Sequence, residues 1–189
     1  MIVISDNGSL ISSSNYLKTL TADKVKYIRQ EMGGSLKAAL NEAVNVGKKF
    51  SPTITAIWET DAIPDIHTFK AMLDVFIKER DHGRAIASVS PMYKWNGEYC
   101  YPTHNHWHTD PIYEKNATYG DISKTHAVPF LFSVWEPSLL EKYINRSEFR
   151  QLVHLDSDFG KFLSSMGFLH LRLKRYNIGH HGGGKKSRR

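Results

Sequence analysis

The sequence predicts an α/β protein whose central sheet is mostly parallel and flanked by helices. Segments with strand-like and helix-like patterns alternate through the first half of the chain, which is the order found around a parallel sheet. Of the 189 residues, 41% are hydrophobic and 12% aromatic, so one compact domain can bury a core of its own. We therefore expect a single domain over residues 1–181, followed by a flexible basic tail over residues 182–189.

The spacing of apolar residues predicts two helices in this first half. One begins after Gly33-Gly34-Ser35 and ends at Gly47. The other follows Pro64, and its apolar residues between Ile66 and Ile77 predict a face that packs on the core. The chain starts with a short predicted strand. Apolar or alternating runs predict four further strands, at residues 53–58, 85–89, 128–135 and 169–173.

An acidic triplet, Glu59-Thr60-Asp61, follows the strand at residues 53–58. This strand is too apolar to lie open to water, and a carboxylate buried at its end would need a partner or a cation. The carboxyl ends of strands form the ligand crevice of an open α/β sheet, and carboxylate oxygens suit Mg²⁺ or Mn²⁺. Alternatively, Glu59 is solvated and Asp61 caps the helix after Pro64. The triplet alone leaves both interpretations open.

Residues that could contact a phosphate or a nucleoside lie before the triplet. The helix that starts after Gly33 and Gly34 could receive phosphate oxygens on its free N–H groups, with positive charge from Arg29 and Lys37. The alternative is a tight turn that needs glycine for its backbone alone. Asp6 could accept a hydrogen bond from a base or ribose, or it could close an Asx turn with the residues that follow it.

In order and spacing, these segments resemble a nucleotide-sugar glycosyltransferase of the GT-A fold, of the family 2 type. Residues 2–9, Ile-Val-Ile-Ser-Asp-Asn-Gly-Ser, resemble the family's strand ending in Asp-Asp/Asn-Gly-Ser. Residues 27–34 resemble the segment before its Gly-led helix, and Glu59-Thr60-Asp61 is a variant of its Asp-x-Asp signature. Residues 155–159 resemble its acidic helix opening, and residues 179–183 resemble its terminal His-containing segment. The resemblance spans nearly the whole chain.

The resemblance implies a metal-dependent glycosyltransferase that moves a hexose or deoxyhexose from a nucleotide-diphosphate sugar to a hydroxyl of a glycan or glycoprotein. Family habit makes a UDP-sugar the expected donor. Residues 1–90 would form the nucleotide-sugar-binding half and residues 91–181 the acceptor-facing half. The implied nucleotide-sugar contacts are Asp6, Arg29, Gly33, Gly34, Lys37, Glu59, Thr60 and Asp61.

The same resemblance implies a cofactor and a general base. A Mn²⁺ or Mg²⁺ ion would be held by Asp61 and Glu59, with His180 or His181 completing its shell. Asp156 or Asp158 would take the proton from the acceptor hydroxyl, and we place Asp156 slightly ahead. As an alternative, both aspartates serve only to cap their helix and compensate its dipole.

The chain departs from the family pattern in two places. The family usually begins with a strand-helix unit before its Asp-Asn-Gly-Ser strand, whereas this sequence starts directly at that strand. The nucleotide pocket is therefore expected to be abbreviated or closed by another segment. The signature also begins with glutamate instead of aspartate, which leaves Asp61 as the safer metal ligand.

Aromatic residues and histidines crowd the region after Pro91. Trp95, Tyr99, Tyr101 and Trp107 are candidate acceptor contacts, because sugar-binding surfaces favour aromatic faces beside polar groups; the alternative is an ordinary aromatic cluster under a loop. The histidines at 104, 106 and 108 alternate, so on a strand they would share one face and could bind zinc instead.

Charge and composition limit the remaining function classes. The formal net charge is +6, but four of these charges lie in the last five residues, so the folded part is only mildly basic. Such a field suits a diphosphate donor and also nucleic acid or anionic lipid. Two alternative functions therefore stay open, a noncatalytic nucleotide-sugar or glycan-binding domain and a metal-dependent phosphoesterase or nucleic-acid-binding protein, although no specific nucleic acid is expected.

Cysteine content and hydropathy give the expected location. The single cysteine, Cys100, excludes an internal disulfide. No apolar stretch approaches the ~20 residues that would span a bilayer, and no secretory signal is recognised at the start. The sequence predicts a cytoplasmic, soluble protein, with peripheral membrane association left open.

Overall fold

The computed structural model describes residues 1–7, 11–30, 35–60, 62–95, 98–99, 111–150 and 154–180, with the backbone alone at residues 94, 95, 98, 99 and 180. The strands lie at Ile2–Asp6 (β1), Val25–Arg29 (β2), Thr55–Trp58 (β3), Ala62–Ile63 (β4), Ile86–Trp95 (β5), Glu98–Tyr99 (β6), Ile112–Asn116 (β7), Gly120–Thr125 (β8), Phe132–Trp135 (β9) and Leu169–His180 (β10). The α-helices lie at Ile11–Thr19 (α1), Leu36–Gly47 (α2), Ile66–Asp81 (α3), Pro137–Tyr143 (α4) and Leu155–Ser165 (α5).

These elements form an α/β fold that divides into two compact units. The first unit consists of Met1–Ile54 and Pro137–Phe159, and the second of Thr55–Glu136 and Gly160–Arg189. Each unit is discontinuous in sequence. The functional division into residues 1–90 and 91–181 stays a prediction.

In the first unit, β1 and β2 form a two-stranded parallel sheet, with Asp6 opposite Arg29 at its carboxyl end. The predicted helix that ends at Gly47 is confirmed as α2. It starts at Leu36 because the Ser35 hydroxyl oxygen accepts a hydrogen bond from the Ala38 N–H at 3.0 Å, which satisfies one of the free N–H groups of the first turn.

In the second unit, the described strands form an eight-stranded sheet in the order β3-β9-β5-β10-β8-β7, with β4 beside β10 and β6 beside β5. Only β5 and β10 pair in parallel among these strands; every other described pair is antiparallel. The predicted mostly parallel sheet is therefore wrong, and the sheet is mixed. Short connections join β5 to β6 and β7 to β8 and only allow antiparallel pairing. The other antiparallel pairs join β9 to β3 and β5, and β10 to β4 and β8.

The strand before the acidic triplet also differs from its prediction. β3 lies at one end of the sheet order, and its residues alternate between partly covered and exposed positions. Trp58 at its end is 61% exposed. The apolar sequence predicts a strand that does not lie open to water, but an edge strand leaves every second side chain uncovered.

Polar side chains line one face of the central strands β5, β10 and β8. β10 alternates, with Leu171 and Leu173 on one face and His170 and Arg172 on the other, which confirms the predicted period of two. The pairing register places Ser88 and Thr125 on either side of His170, and Ser90 and Ser123 on either side of Arg172. Every one of these polar residues is buried.

His170 is held by hydrogen bonds on both ring nitrogens. Nε2 lies 3.1 Å from the carbonyl oxygen of Gly160, and Nδ1 lies 2.7 Å from the Ser88 hydroxyl. A carbonyl only accepts, so Nε2–H donates to it and Nδ1 accepts from Ser88. Burial lowers the pKa of His170 to about 4, because charging the ring inside the protein is unfavourable. His170 is therefore a neutral, structural residue of the core.

A glycine is required where α5 crosses residues 126–127. A Cβ on Gly160 would lie 2.5 Å from the Cβ and 2.6 Å from the Cα of Ala127. Since the Cα belongs to the backbone, no side-chain rotation relieves this contact. We expect Gly160→Ala to lower the free energy of unfolding by about 2 kcal/mol, measured by urea denaturation.

Gly47 provides the matched control, because a Cβ there meets nothing within 4 Å and its φ is −60°. Gly47→Ala is expected to be neutral or to stabilise by up to about 1 kcal/mol. Equal unfolding free energies for the two variants would contradict the packing described at Gly160.

Among the described helices, none is both long enough and apolar enough to cross a membrane.

Candidate functional site

β3 and β4 meet at a corner, and the acidic triplet lies between them in the sequence. The Glu59 N–H donates to the Leu131 carbonyl at 2.8 Å, and the Ala62 N–H donates back to the Glu59 carbonyl at 3.0 Å, which closes a tight turn. The Trp58 indole N–H donates to the Ala62 carbonyl at 3.0 Å and braces the same turn. Glu59 is partly exposed and Thr60 is exposed, while Asp61 lies outside the described residues.

The chain end that carries the predicted histidine ligands runs beside this corner. β10 pairs with β4 in antiparallel fashion, with Gly179 opposite Ile63 and His180 opposite Ala62. Asp61 directly precedes Ala62 in the sequence, and His181, which lies outside the described residues, directly follows His180. The backbone therefore brings two segments that are more than a hundred residues apart into neighbouring strands.

β10 also pairs with β5, on the side away from β4. There His180 is opposite Trp95, a predicted acceptor contact, and Trp95 is in turn opposite Glu98 of the short strand β6. Tyr99, the other predicted acceptor residue of β6, pairs with Lys94. Tyr101, Trp107 and the histidines at 104, 106 and 108 lie outside the described residues.

The described side chains by themselves do not form a metal centre. Within the described part of the chain, no group of three or more His, Cys, Asp or Glu side chains could hold an ion. This finding covers only Glu59 among the predicted ligands, because Asp61 and His181 are not described and His180 is described by its backbone alone. The backbone pairing of β4 with β10 is thus the feature of this structure that fits the predicted ligand set.

The two predicted general bases, in the first unit, have opposite environments. Burial raises the pKa of the Asp156 carboxyl, even though the Ser157 N–H donates to it at 2.8 Å. Arg150 lowers the pKa of Asp158 by a two-point contact, with Nε 2.7 Å from Oδ2 and Nη2 2.5 Å from Oδ1. A carboxylate with a raised pKa is the better proton acceptor, so the environments favour Asp156 over Asp158.

Asp6 is the centre of a buried hydrogen-bond network in the first unit. Its side chain has no exposed surface, and Oδ2 accepts from the Ser14 hydroxyl at 2.6 Å and from the Tyr27 hydroxyl at 2.7 Å. Arg29 Nη1 lies 3.9 Å from the same oxygen and donates to the Ser14 hydroxyl. Asp6 therefore orients Tyr27 and Arg29, and the Arg29 side chain is 34% exposed.

Lys37 has a different role from the predicted phosphate contact. Its side chain is buried, and its ammonium donates to the carbonyl of Arg146 and, at 3.5 Å, to that of Phe149. These bonds tie α2 to the segment that follows α4. Local sequence patterns do not indicate these bonds, because the partners lie more than a hundred residues away. Gly33 and Gly34 lie outside the described residues.

Three residues of these networks were missed by the sequence analysis. Ser14 and Tyr27 share Asp6, and Arg150 binds Asp158. Arg150 had a weak local signal, since it lies five residues before the start of the helix that carries Asp156 and Asp158 in its first turn. Ser14 had none, because α1 carries no apolar periodicity and Ser14 is its one described buried residue.

Comparison with known proteins shows similarity to solved structures but to no protein family. No protein-family model matches the sequence, and no curated protein matches it. Among solved structures, A197 from STIV has a TM-score of 0.57 and 15% identity, covering 96% of this chain and 85% of that one.

GalNAc-T7, solved with UDP, GalNAc and Mn²⁺, has a TM-score of 0.59 and 14% identity, covering 95% of this chain. The match spans 37% of the GalNAc-T7 chain. At such identities both likenesses concern the fold alone, which is α/β with a mixed sheet and compatible with GT-A.

Proposed function

We propose that this chain is a metal-dependent glycosyltransferase that moves a hexose or deoxyhexose from a nucleotide-diphosphate sugar, with UDP as the expected nucleotide, to a hydroxyl of a glycan or glycoprotein. The observation that carries this proposal is the pairing of His180 with Ala62, the residue after Asp61. Consecutive Cα atoms are about 3.8 Å apart, which supports a common corner for the acidic triplet and the terminal histidines.

In this proposal, Asp61 and Glu59 supply carboxylate oxygens to a Mn²⁺ or Mg²⁺ ion, and His180 or His181 supplies an imidazole nitrogen. These are donor types that Mn²⁺ accepts, and the carboxylates also suit Mg²⁺. Such an ion, when bound, stabilises the negative charge that develops on the leaving diphosphate. Thr60 is exposed beside these ligands and is proposed to contact the donor.

Asp156 is proposed as the general base. It takes the proton of the acceptor hydroxyl as that oxygen forms its bond to the anomeric carbon, while the bond from this carbon to the diphosphate oxygen breaks and the nucleoside diphosphate leaves. The raised pKa of Asp156 supports this assignment. Asp158 is assigned a structural role through Arg150.

For the donor, Arg29 and the N-terminus of α2 behind Gly33 and Gly34 are the proposed phosphate contacts. Arg29 is the partly exposed member of the Asp6 network. Asp6 is proposed to act through the residues that it orients, and Lys37 is left out because its ammonium is engaged by backbone carbonyls. Trp95, Tyr99, Tyr101 and Trp107 remain the proposed acceptor contacts.

The fold likeness to GalNAc-T7 adds support of a general kind. That structure contains a nucleoside diphosphate, a sugar and Mn²⁺, which are the components that the proposed reaction requires. Fold likeness alone does not carry an activity, so the proposal depends on the residues of this chain.

The test is slow hydrolysis of UDP-glucose, UDP-galactose, UDP-GlcNAc and UDP-GalNAc, followed by release of UDP with and without Mn²⁺. We expect at least one donor to be hydrolysed only with Mn²⁺, and Asp61→Ala to lower this rate at least ~100-fold because the leaving diphosphate loses its counter-charge. Asp121→Asn, an exposed acidic position on β8, is the control and should keep the rate. Metal-independent hydrolysis, or an unchanged rate in Asp61→Ala, would refute the proposal.

A noncatalytic nucleotide-sugar-binding domain is the second candidate. It is favoured by one observation, namely that Asp6 and Lys37, two predicted donor contacts, are engaged inside the first unit. This candidate predicts that UDP-sugars raise the melting temperature without being hydrolysed. Removal of residues 185–189 tests the nucleic-acid-binding alternative, because polynucleotide binding that depends on the basic tail should then disappear.

A further inference from the structure

Trp58 is an exposed aromatic side chain that is held in place. The residue is 61% exposed, although its ring contacts Phe132 edge-on, with the ring centroids 6.1 Å apart and the planes at 71°. Phe132 is itself buried and packs on Phe69 of α3. The single polar atom of the indole, Nε1, already donates to the Ala62 carbonyl at 3.0 Å. Trp58 therefore exposes to solvent an apolar ring that is held in a fixed orientation.

The surroundings of this ring are small or acidic. Ala56 lies on the same exposed face of β3, two residues earlier, and its methyl group leaves room beside the ring. Glu59 and Thr60 follow Trp58 directly. Residues 50–69 contain three acidic residues and no lysine or arginine, whereas Lys48, Lys49 and Lys70 lie just outside this stretch.

An apolar ring beside carboxylates is the chemistry that binds a sugar. A pyranose presents a face of C–H groups, which packs on an aromatic ring, and a rim of hydroxyls, which donate to carboxylate oxygens. Two further apolar side chains, Ile63 and Ile66, are 63% and 71% exposed on the segment that follows the corner.

We propose that Trp58 is a sugar-binding platform that stacks one pyranose ring of the acceptor glycan beside Glu59 and Thr60. The acceptor role rests on the proposed function, whereas the stacking of a pyranose on Trp58 does not. The proposal adds a binding residue on β3 to the aromatic residues of β5 and β6.

The local charge argues against a lipid surface as the occupant. Exposed tryptophan and isoleucine side chains also occur where proteins enter membranes, but there they are joined by lysine and arginine. Residues 50–69 carry only the opposite charge, which anionic lipid would repel. A neutral, hydroxyl-rich ligand fits the ring and the carboxylates together.

Saturation-transfer NMR with lactose, maltose, cellobiose and chitobiose tests the platform on the full chain. We expect at least one disaccharide to receive saturation mainly on the C–H protons of one pyranose face, and Trp58→Ala to weaken its binding about 10-fold. Trp58→Phe should retain the binding within about 3-fold, since it keeps an aromatic face. Both variants lose the bond to Ala62, so comparing them isolates the ring from that bond.

Ile112→Ala is the matched control, because Ile112 is a large apolar residue of the same unit that is 42% exposed. The proposal is overturned if no disaccharide binds, if Trp58→Ala binds as the wild type does, or if Trp58→Phe loses as much as Trp58→Ala. It is also overturned if Trp58→Ala loses binding to phosphatidylserine vesicles and the wild type binds no sugar. Absence of donor hydrolysis in the wild type would count against the proposed function and not against the platform, because the disaccharide measurement needs neither a donor nor a metal.

Discussion

Replacing Asp156 by asparagine is expected to lower donor turnover at least ~100-fold while raising the melting temperature at neutral pH. Burial raises the folded-state pKa of this carboxyl above its unfolded value of 3.8. A raised pKa favours folding only at low pH, where the group is protonated, and this contribution is lost as the pH rises through the folded-state pKa. At neutral pH the buried carboxylate therefore costs stability, and the asparagine, which can still accept from the Ser157 N–H, removes that cost.

Asp158→Asn is the matched variant, two residues along the same helix. Arg150 lowers the pKa of Asp158, so this carboxylate contributes stability above pH 3.8 that is lost as the pH falls. The substitution should lower the melting temperature at neutral pH and leave most of the activity. If Asp156→Asn were instead destabilising and fully active, its assignment as the base would be wrong. Thermal unfolding and initial rates with the preferred donor, measured side by side, decide this.

The second large effect is a loss of stability in mild acid, which we assign to His170. The pKa of this ring is about 4 in the folded protein against 6.5 for the free side chain. A lowered pKa contributes stability above pH 6.5, and this contribution is lost as the pH falls from 6.5 towards 4. The full difference corresponds to about 3 kcal/mol.

Urea unfolding at a series of pH values measures this effect. The wild type should lose most of this contribution to its free energy of unfolding between pH 6.5 and a pH of about 4. His170→Gln removes the titration while keeping one hydrogen-bonding amide, so its unfolding free energy should be lower at neutral pH but nearly flat over the same range. Because the slope is the readout, a general destabilisation by the substitution does not obscure the result. A wild-type slope in the variant would contradict the assignment.

Local patterns predicted the parts of this fold that local forces determine. The apolar spacing after Ser35 and the glycine at Gly47 predict α2, since one apolar face and a glycine stop are sufficient to define a helix. The alternation at residues 169–173 predicts β10. The segment after Pro64 predicts α3, although Ile66 of its predicted core face is 71% exposed.

Long-range pairing explains what the sequence did not predict. The mixed sheet arises from hairpins in the second half of the chain, where aromatic and polar residues obscure the alternation. Asp6 and Lys37 are engaged by partners far away in sequence, and no spacing rule indicates such partners. The order of the family-like segments, in contrast, predicted that the acidic triplet and the terminal histidines belong together, and the pairing of β4 with β10 supports it.

The most direct test of the proposed metal corner is Mn²⁺ binding, followed by electron paramagnetic resonance in the presence of UDP. We expect the wild type to bind Mn²⁺ at a single saturable site, with binding weakened about 10-fold or more in Asp61→Asn and in either His180→Ala or His181→Ala. Asp121→Asn should bind as the wild type does. Equal Mn²⁺ affinity in the wild type, Asp61→Asn and both histidine variants would contradict the account.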